Sequence, residues 1–288
     1  MKKNAVIDVG SNSVRLMIVA DGNVLYKSLN TTRLGEGLAE SSRLSPAAIE
    51  RSAKAVAAFY GQAKGEGAER ICVFATAAVR SAENREEFLQ AVRELCGAEV
   101  DVISGEEEAE IGILGALGNA DGGVLDVGGA STELVIKQEG KFIYKKSVDI
   151  GVVRLKDKCG RDKAALIKES ELTVPKYGEV PKIEAVYGIG GTATTLAAQF
   201  LGLTEYDPKK ITGTEITAED MQKLADKLSA MSVEEIAALP CMPKGRADVL
   251  SGGAVWIAVL MQRLGIQRML VSDRDNLEGY AIKRSLMK

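Results

Sequence analysis

The residues that could do chemistry stand in two short stretches of the same form. Residues 124–137 read VLDVGGASTELVIK, an apolar run ending in Asp126, a Gly-Gly-Ala-Ser-Thr turn and a second alternating apolar run. Residues 7–19 read IDVGSNSVRLMIV. At an offset of 118 residues Asp8 falls on Asp126, Val9 on Val127, Gly10 on Gly128, Ser13 on Ser131, Leu16 on Leu134 and Ile18 on Ile136. Each copy predicts a strand, a tight glycine turn and a returning strand. Each carboxylate, Asp8 and Asp126, then stands at a strand end where it can hold a divalent cation or a water. Glycine beside it lets the backbone turn sharply and approach a ligand. Successive turn N–H groups form a concavity suited to phosphate oxygens, and nearby hydroxyl and amide side chains add donors. Two such turns face to face would clamp one phosphate chain from both sides.

The chain has no histidine. This removes Ser-His-Asp and Cys-His catalysis, histidine zinc sites and hydrolases built on His-Asp clusters. Proton chemistry falls mainly to carboxylates, lysines, tyrosines or water. Four acids cluster in residues 103–111, ISGEEEAEI, where a strand gives way to a helix. Acids in a first helical turn gain a few tenths to about 1 kcal/mol from the helix dipole, which accounts for Glu106 and Glu110. With no histidine available, one Glu of this group is the natural general base.

A third glycine stretch, YGIGGTATTLA at residues 187–197, formally contains G-x-G-x-x-A, a dinucleotide fingerprint. The acidic partner expected at the end of a following strand is unconvincing, since Glu205 and Asp207 precede Pro208 in a loop. The alternative is a phosphate or nucleotide contact at a helix N-terminus. No GxxxxGK[ST] occurs, so this is not a P-loop NTPase. The net charge of −3 argues against a generic nucleic-acid binder, so positive charge for a polyanion must be local. Arg15 follows the first turn and Arg80 ends an expected ATAAVR strand. Residues 141–168 carry nine Lys or Arg against three Asp, either a solvated surface or a track guiding a long polyanion.

The elements that must position these residues follow from periodicity and punctuation. Ser45-Pro46 opens a helix ending near Gly65. Residues 70–79 and 99–104 read as strands, and 83–96 and 106–117 as helices. After the second hairpin, 142–150, 184–189 and 268–272 read as strands. Helices are expected over 193–201, 218–231, 246–264 and from Asn276, with a capping box at Ser232 and Glu235. Alternation of this kind implies a layered α/β fold. The 288 residues and 46% hydrophobic content suit two domains, and the repeated hairpin places their boundary near Asn119. No run of about eighteen apolar residues suggests a membrane span. The start, MKKNAVIDVGSN, lacks a signal-peptide apolar region, so the cytoplasm is expected. Cys72, Cys96, Cys159 and Cys241 are far apart and read as reduced.

Taken together, IDVGSNSVRL, ATAAVR, ISGEEEA, DVGGASTEL, the GxxRL at Gly151 to Leu155, GIGGTATTLA and RADVLSGGA resemble the exopolyphosphatase/guanosine-pentaphosphate phosphatase (Ppx/GppA) family of the actin/Hsp70/sugar-kinase superfamily. The resemblance implies an α/β fold of two ribonuclease H-like (actin-like ATPase) domains, 1–119 and 120–275, with a cleft between them and the C-terminal helix 276–288 packing back on the first. It implies Glu108 as catalytic base, with Asp126 and Glu133 handling metal and nucleophilic water and Asp8 as a third metal candidate. Phosphate would be held by Gly10, Ser11, Asn12, Ser13, Arg15, Arg80, Gly128, Gly129, Ser131, Gly190, Gly191, Thr192 and Arg246. The implied cofactor is Mg2+, with Mn2+ as an alternative, and the substrate is inorganic polyphosphate or guanosine pentaphosphate. No nucleic acid or membrane partner is expected, and a homodimer is one option. The chain departs from the family pattern in SDRDNLEG, where Leu277 replaces an expected Arg, and in Thr212-Gly213, where many relatives carry His-Gly. Two rival readings stay open: an ATP-dependent small-molecule kinase of the same superfamily, and a non-catalytic polyphosphate or alarmone sensor.

Overall fold

The first hairpin forms β1 (Lys3–Val9) and β2 (Ser13–Ala20), antiparallel, with Asp8 opposite Arg15. In this computed structural model, which describes residues 2–287, a third strand follows, β3 (Asn23–Thr31), beyond the two expected of the hairpin. Helices α1 (Leu38–Ser41) and α2 (Pro46–Gly65) lead to β4 (Ala68–Ala75), parallel to β1. Ser45 caps α2 as expected, accepting from Ala48 N–H. The strand expected over 70–79 ends early, because its alanine-rich second half becomes α3 (Ala77–Ser81). Alanine is the best helix former and brings no branched side chain to a pleated surface. Then come α4 (Arg85–Cys96), the short β5 (Val100–Val102) and α5 (Gly105–Leu117), capped by Ser104. The five-stranded sheet has the order β3-β2-β1-β4-β5.

The second half repeats the pattern. Strands β6 (Gly122–Val127), β7 (Thr132–Gln138) and β8 (Lys141–Val148) form an antiparallel run. Two helices that the sequence reading did not place, α6 (Val152–Cys159) and α7 (Lys163–Thr173), precede β9 (Ala185–Ile189) and α8 (Gly190–Phe200). After α9 (Pro208–Ile211), β10 (Glu215–Thr217), α10 (Ala218–Ala230) and α11 (Val233–Ala237) comes α12 (Ala247–Leu264). Strand β11 (Arg268–Val271) and α13 (Asn276–Lys283) close the chain. The six-stranded sheet runs β10-β11-β9-β6-β7-β8, so β8-β7-β6-β9 matches β3-β2-β1-β4. The expected pair of ribonuclease H-like sheets is therefore present.

Helix α12 is apolar enough and long enough to cross a membrane by length and composition, but it lies inside the second core. Trp256 on it is fully buried and donates Nε1–H to Thr132 Oγ1 at 2.9 Å. A helix buried on all sides needs no polar face.

Two helices lie between the sheets. Ile111 on α5 packs against the first sheet, whereas Ala109 and Ile113 pack with Val124, Val135 and Ile189 of the second. Helix α13 follows a strand of the second sheet yet buries Leu277, Tyr280 and Ala281 against Val6, Met17, Val19 and Phe74 of the first. Tyr280 stacks on Phe74 with centroids 4.4 Å apart. Burial of each such large side chain is worth roughly 2–3 kcal/mol. The helices approach backbone to backbone, since a Cβ on Gly279 would collide with the Ile111 carbonyl.

Candidate active site

Strand alternation aims the functional side chains into this middle layer. Val6 packs under α13, so Asp8, two residues on, emerges on the same side of the sheet, as Arg15 does beside Met17. In the second sheet Val124 and Val135 face α5, and with them Asp126 and Glu133. Helix α5 brings Glu108 in its first turn, and α13 begins with Asp275 as its cap and Asn276 as its first residue.

The two hairpins share a frame and differ in charge. Asp8 pairs across the first with Arg15, and Asp126 across the second with Glu133. In the first, Arg15 Nε donates to Asp8 Oδ2 at 2.9 Å and the guanidinium also grips Asp275. In the second, two buried carboxylates stand side by side. Asn276 Nδ2 donates to Asp126 Oδ2 at 2.7 Å and Ser147 Oγ to Glu133 Oε1 at 2.6 Å, while Glu133 Oε2 is buried without a partner. Glu108 joins them, held by Arg80 at 2.9 Å.

Burial and mutual repulsion set the protonation of this cluster. Burial first, then Glu108 and Asp275, push Asp126 up to about 8. Glu133 rises well above its ordinary range through burial, Glu108 and Asp126. Burial also raises Glu108, against the opposing pull of Arg80. Asp8 is raised by burial and restrained by Arg15. For Asp275 burial acts upward, but Arg15 and Lys27 outweigh it and hold the carboxyl below its usual value.

Opposite the carboxylates lie the glycine turns. Gly10 N–H closes on Ser13 O and Gly128 N–H on Ser131 O, each at 3.0 Å. The turn carbonyls are drawn backwards: Asn12 O accepts from Thr32 and Arg33, and Gly129 O from Val153 and Arg154. Among the described residues the N–H groups of Ser11, Asn12, Gly129 and Ala130 have no acceptor. Such a concavity of unpaired N–H groups suits an anion. The turns face one another closely, because a Cβ on Gly129 would lie 2.8 Å from Ser11 Cβ.

The third glycine stretch resolves differently from a dinucleotide turn. Gly188 lies inside β9, and Gly190, Gly191 and Thr192 form the first turn of α8, with Thr192 Oγ1 tied to Val127 O at 2.8 Å. Gly191 makes room for Arg246, whose guanidinium a Cβ there would overlap. Arg246 is 9% exposed, forms no ion pair among the described residues, and its Nε is buried without an acceptor. Burial, then Arg15, lower it to about 10. A buried cation without a counter-charge is costly, and an arriving anion would remove that cost.

These groups line a bay of about 80 Å³, which contains every expected residue except Glu133 and Arg80. Glu133 lies beneath the surface beside Asp126, and Arg80 is taken up by Glu108 and Ile103 O instead of facing the bay. Arg15, Gly190, Gly191 and Arg246 also border a groove of about 1300 Å³ that runs past β3 and Tyr206.

Four of the nine cations in the basic stretch 141–168 are taken up by ion pairs. Lys145 pairs with Glu106 and Glu110, Lys156 with Asp248, Lys158 with Glu169 and Lys163 with Asp226. Charge counted along the chain overlooks the acids that other segments bring to it. Asn276 and Thr76, which line the bay, and Asp275 and Ser147, which contact Arg15 and Glu133, were not among the expected site residues. The Asp275–Glu278 capping-box spacing was a visible signal for Asp275 and Asn276.

The donor set suits magnesium in part. It is all oxygen, and cation charge would relieve the repulsion among Glu108, Asp126 and Glu133. Among the described residues no three acidic side chains converge closely enough to hold a metal by themselves. Asp8, expected as a third ligand, has its charge matched by Arg15. A cation here would share the protein carboxylates with phosphate oxygens, as magnesium commonly does.

A model of the Ppx/GppA phosphatase family matches residues 7–286. Exopolyphosphatase 2 of Mycobacterium tuberculosis is 33% identical over 96% of this chain and 97% of its own. Guanosine-5'-triphosphate,3'-diphosphate pyrophosphatase of Vibrio cholerae is 29% identical over 96% of this chain, which spans 58% of that longer protein. Among solved structures, an exopolyphosphatase-like protein superposes with a TM-score of 0.91 at 28% identity, covering 99% of this chain and all of that one. The Aquifex aeolicus Ppx/GppA family member gives 0.79 at 29% identity, covering 99% and 98%.

Proposed function

The chain belongs to the Ppx/GppA phosphatase family, and from that premise we propose that its cleft removes the terminal phosphoryl group of inorganic polyphosphate as orthophosphate. The observation that carries this reading is Arg246, a buried guanidinium without an anion, set beside unpaired turn N–H groups and across from buried carboxylates. The bay is far smaller than the several hundred cubic ångströms of a typical organic-ligand pocket, which suits one phosphoryl group, and the groove takes the remaining chain.

Glu108 accepts a proton from a water whose oxygen attacks the terminal phosphorus in line. The bond to the bridging oxygen breaks, its electron pair leaves with the shortened chain, and orthophosphate remains against Arg246. Burial makes Glu108 a stronger base than a surface glutamate, and Arg80 orients it. Magnesium, held through Asp126 and Glu133 together with substrate oxygens, would supply charge neutralisation at the phosphoryl group.

One observation favours guanosine pentaphosphate as a second substrate. The groove has exposed Leu25, Leu29 and Tyr206 along it, and of its cations Lys27 is already paired with Asp273 and Glu278, while Lys209 and Arg274 form no ion pair among the described residues. Such walls suit a flat, partly apolar group. The deciding experiment is phosphate release with magnesium from long polyphosphate, guanosine pentaphosphate and ATP separately. Release from polyphosphate is expected. Release from guanosine pentaphosphate alone would transfer the assignment to the alarmone. Silence on all three from folded protein would overturn hydrolysis and favour the kinase or sensor readings.

A further inference from the structure

The chain crosses from the second sheet to the first through residues 272–275, between β11 and α13, and the two residues at the end of that crossing touch both hairpins. Asp275 holds Arg15 of the first sheet, and Asn276, 4% exposed, donates to Asp126 of the second at 2.7 Å. The helix start needs nothing from Asn276, since Asp275 caps it by accepting from Leu277 N–H while Glu278 returns to Asp275 N–H. Lys27 on β3 grips Glu278 at 2.7 Å, so this first turn is anchored to the first sheet. The Asn276 carboxamide is confined on its other side by α5, where a Cβ on Gly112 would come within 3.0 Å of Oδ1. Asp126 Oδ1, the atom Asn276 leaves free, lies on the side kept open by Gly190, where a Cβ would be 2.6 Å away.

We propose that Asn276 is a positioning residue for the hydrolysis. Its carboxamide fixes Asp126 Oδ2 so that Oδ1 alone addresses the bay, and because Asn276 rides on a helix packed against the opposite sheet, that orientation holds only while the two halves are together. This rests on the reading of the cleft as a phosphohydrolase site. Contacts made around a metal-holding carboxylate typically govern 10–100-fold in metal affinity or activity, and Asn276 is the one side chain that hydrogen-bonds Asp126 among the described residues.

The test is Asn276→Leu, which keeps the volume and removes the donor. Phosphate release is measured for kcat and KM, magnesium binding by calorimetry in the presence of inorganic phosphate, and unfolding by heat. The expected result is kcat lower by about 10–100-fold with KM changed less than about twofold, magnesium binding weaker by about tenfold or more, and an unchanged melting temperature. Wild-type kcat and magnesium affinity in the variant would overturn the proposal, as would a fall in melting temperature with normal turnover per folded molecule. If Asn276→Leu does not fold, Gly112→Ala, which presses on the carboxamide from α5, is expected to shift both quantities in the same direction by a smaller factor, and no shift there overturns the proposal. Should the wild-type protein release no phosphate from any substrate, the functional reading fails while calorimetry still decides Asn276: equal magnesium affinities, or no binding by either protein, would overturn its role.

Discussion

At the scale of the residue, the site is three carboxylates that repel one another and one arginine, Arg246, that lacks a partner among the described residues. Glu108→Gln keeps shape and the contact with Arg80 but removes the base. Turnover should fall by about 10²–10⁴-fold with KM nearly unchanged, and comparable turnover would remove Glu108 from the mechanism. Burial, with the same repulsion, makes a stability prediction. Asp126 binds its proton more tightly in the folded than in the unfolded chain, with a folded value of about 8 against an ordinary 3.8. Its contribution is therefore fully present below the ordinary value and is lost as pH rises through about 8. Ligand-free protein should be less stable to urea at pH 8 than at pH 5, and Asp126→Asn should reduce the difference, by on the order of a few kcal/mol. Burial raises Glu108 and Glu133 as well, so the slope should shrink without vanishing. An identical pH dependence in both proteins would argue against the buried charge.

At the scale of the element, helix starts and strand ends do the placing. The GxxRL segment opens α6 so that Val153 and Arg154 N–H groups brace the second turn, as Thr32 and Arg33 brace the first. Bracing the carbonyls leaves the remaining N–H groups to the bay. The first turn of α8 is glycine because Arg246 lies against it. Gly191→Ala should displace that guanidinium and weaken phosphate binding by roughly 10–100-fold, the value of a charge-assisted hydrogen bond. Calorimetry with inorganic phosphate checks this, and wild-type affinity would show that Arg246 is not the anion's partner.

At the scale of the whole molecule, the halves meet around the cleft through polar contacts. Arg33 of the first half and Lys156 of the second share Asp248, and Asp157 accepts from Gly37 N–H at 3.0 Å. Four of the seven lysines in residues 141–168 stand in ion pairs. Those without ion pairs among the described residues, Lys141, Lys146 and Lys168, are split between β8 and α7. Surface pairs such as Lys158–Glu169 and Lys163–Asp226 contribute at most about 1 kcal/mol. The double variant Lys158→Ala, Lys163→Ala should leave KM for long polyphosphate within about twofold, a small effect for the loss of two surface charges. A large rise in KM would restore the track.

The amino-acid sequence by itself determined the two sheets, the strand-end carboxylates and the glycine turns. Each of these is written locally, in a period of two, in a glycine where the backbone must turn, and in a repeat visible at a fixed offset. The absence of histidine likewise confined proton transfer to other groups. Tertiary structure alone decided which charges are free. Arg15, Arg80 and Arg246 look alike in sequence, yet the first is matched by Asp8 and Asp275, the second by Glu108, and the third by no acid among the described residues. Ion pairing and desolvation depend on segments far apart in the chain, such as Asn276 and Asp126. No local pattern encodes that distance, so the fold alone separates a cation that holds the protein together from one that awaits an anion.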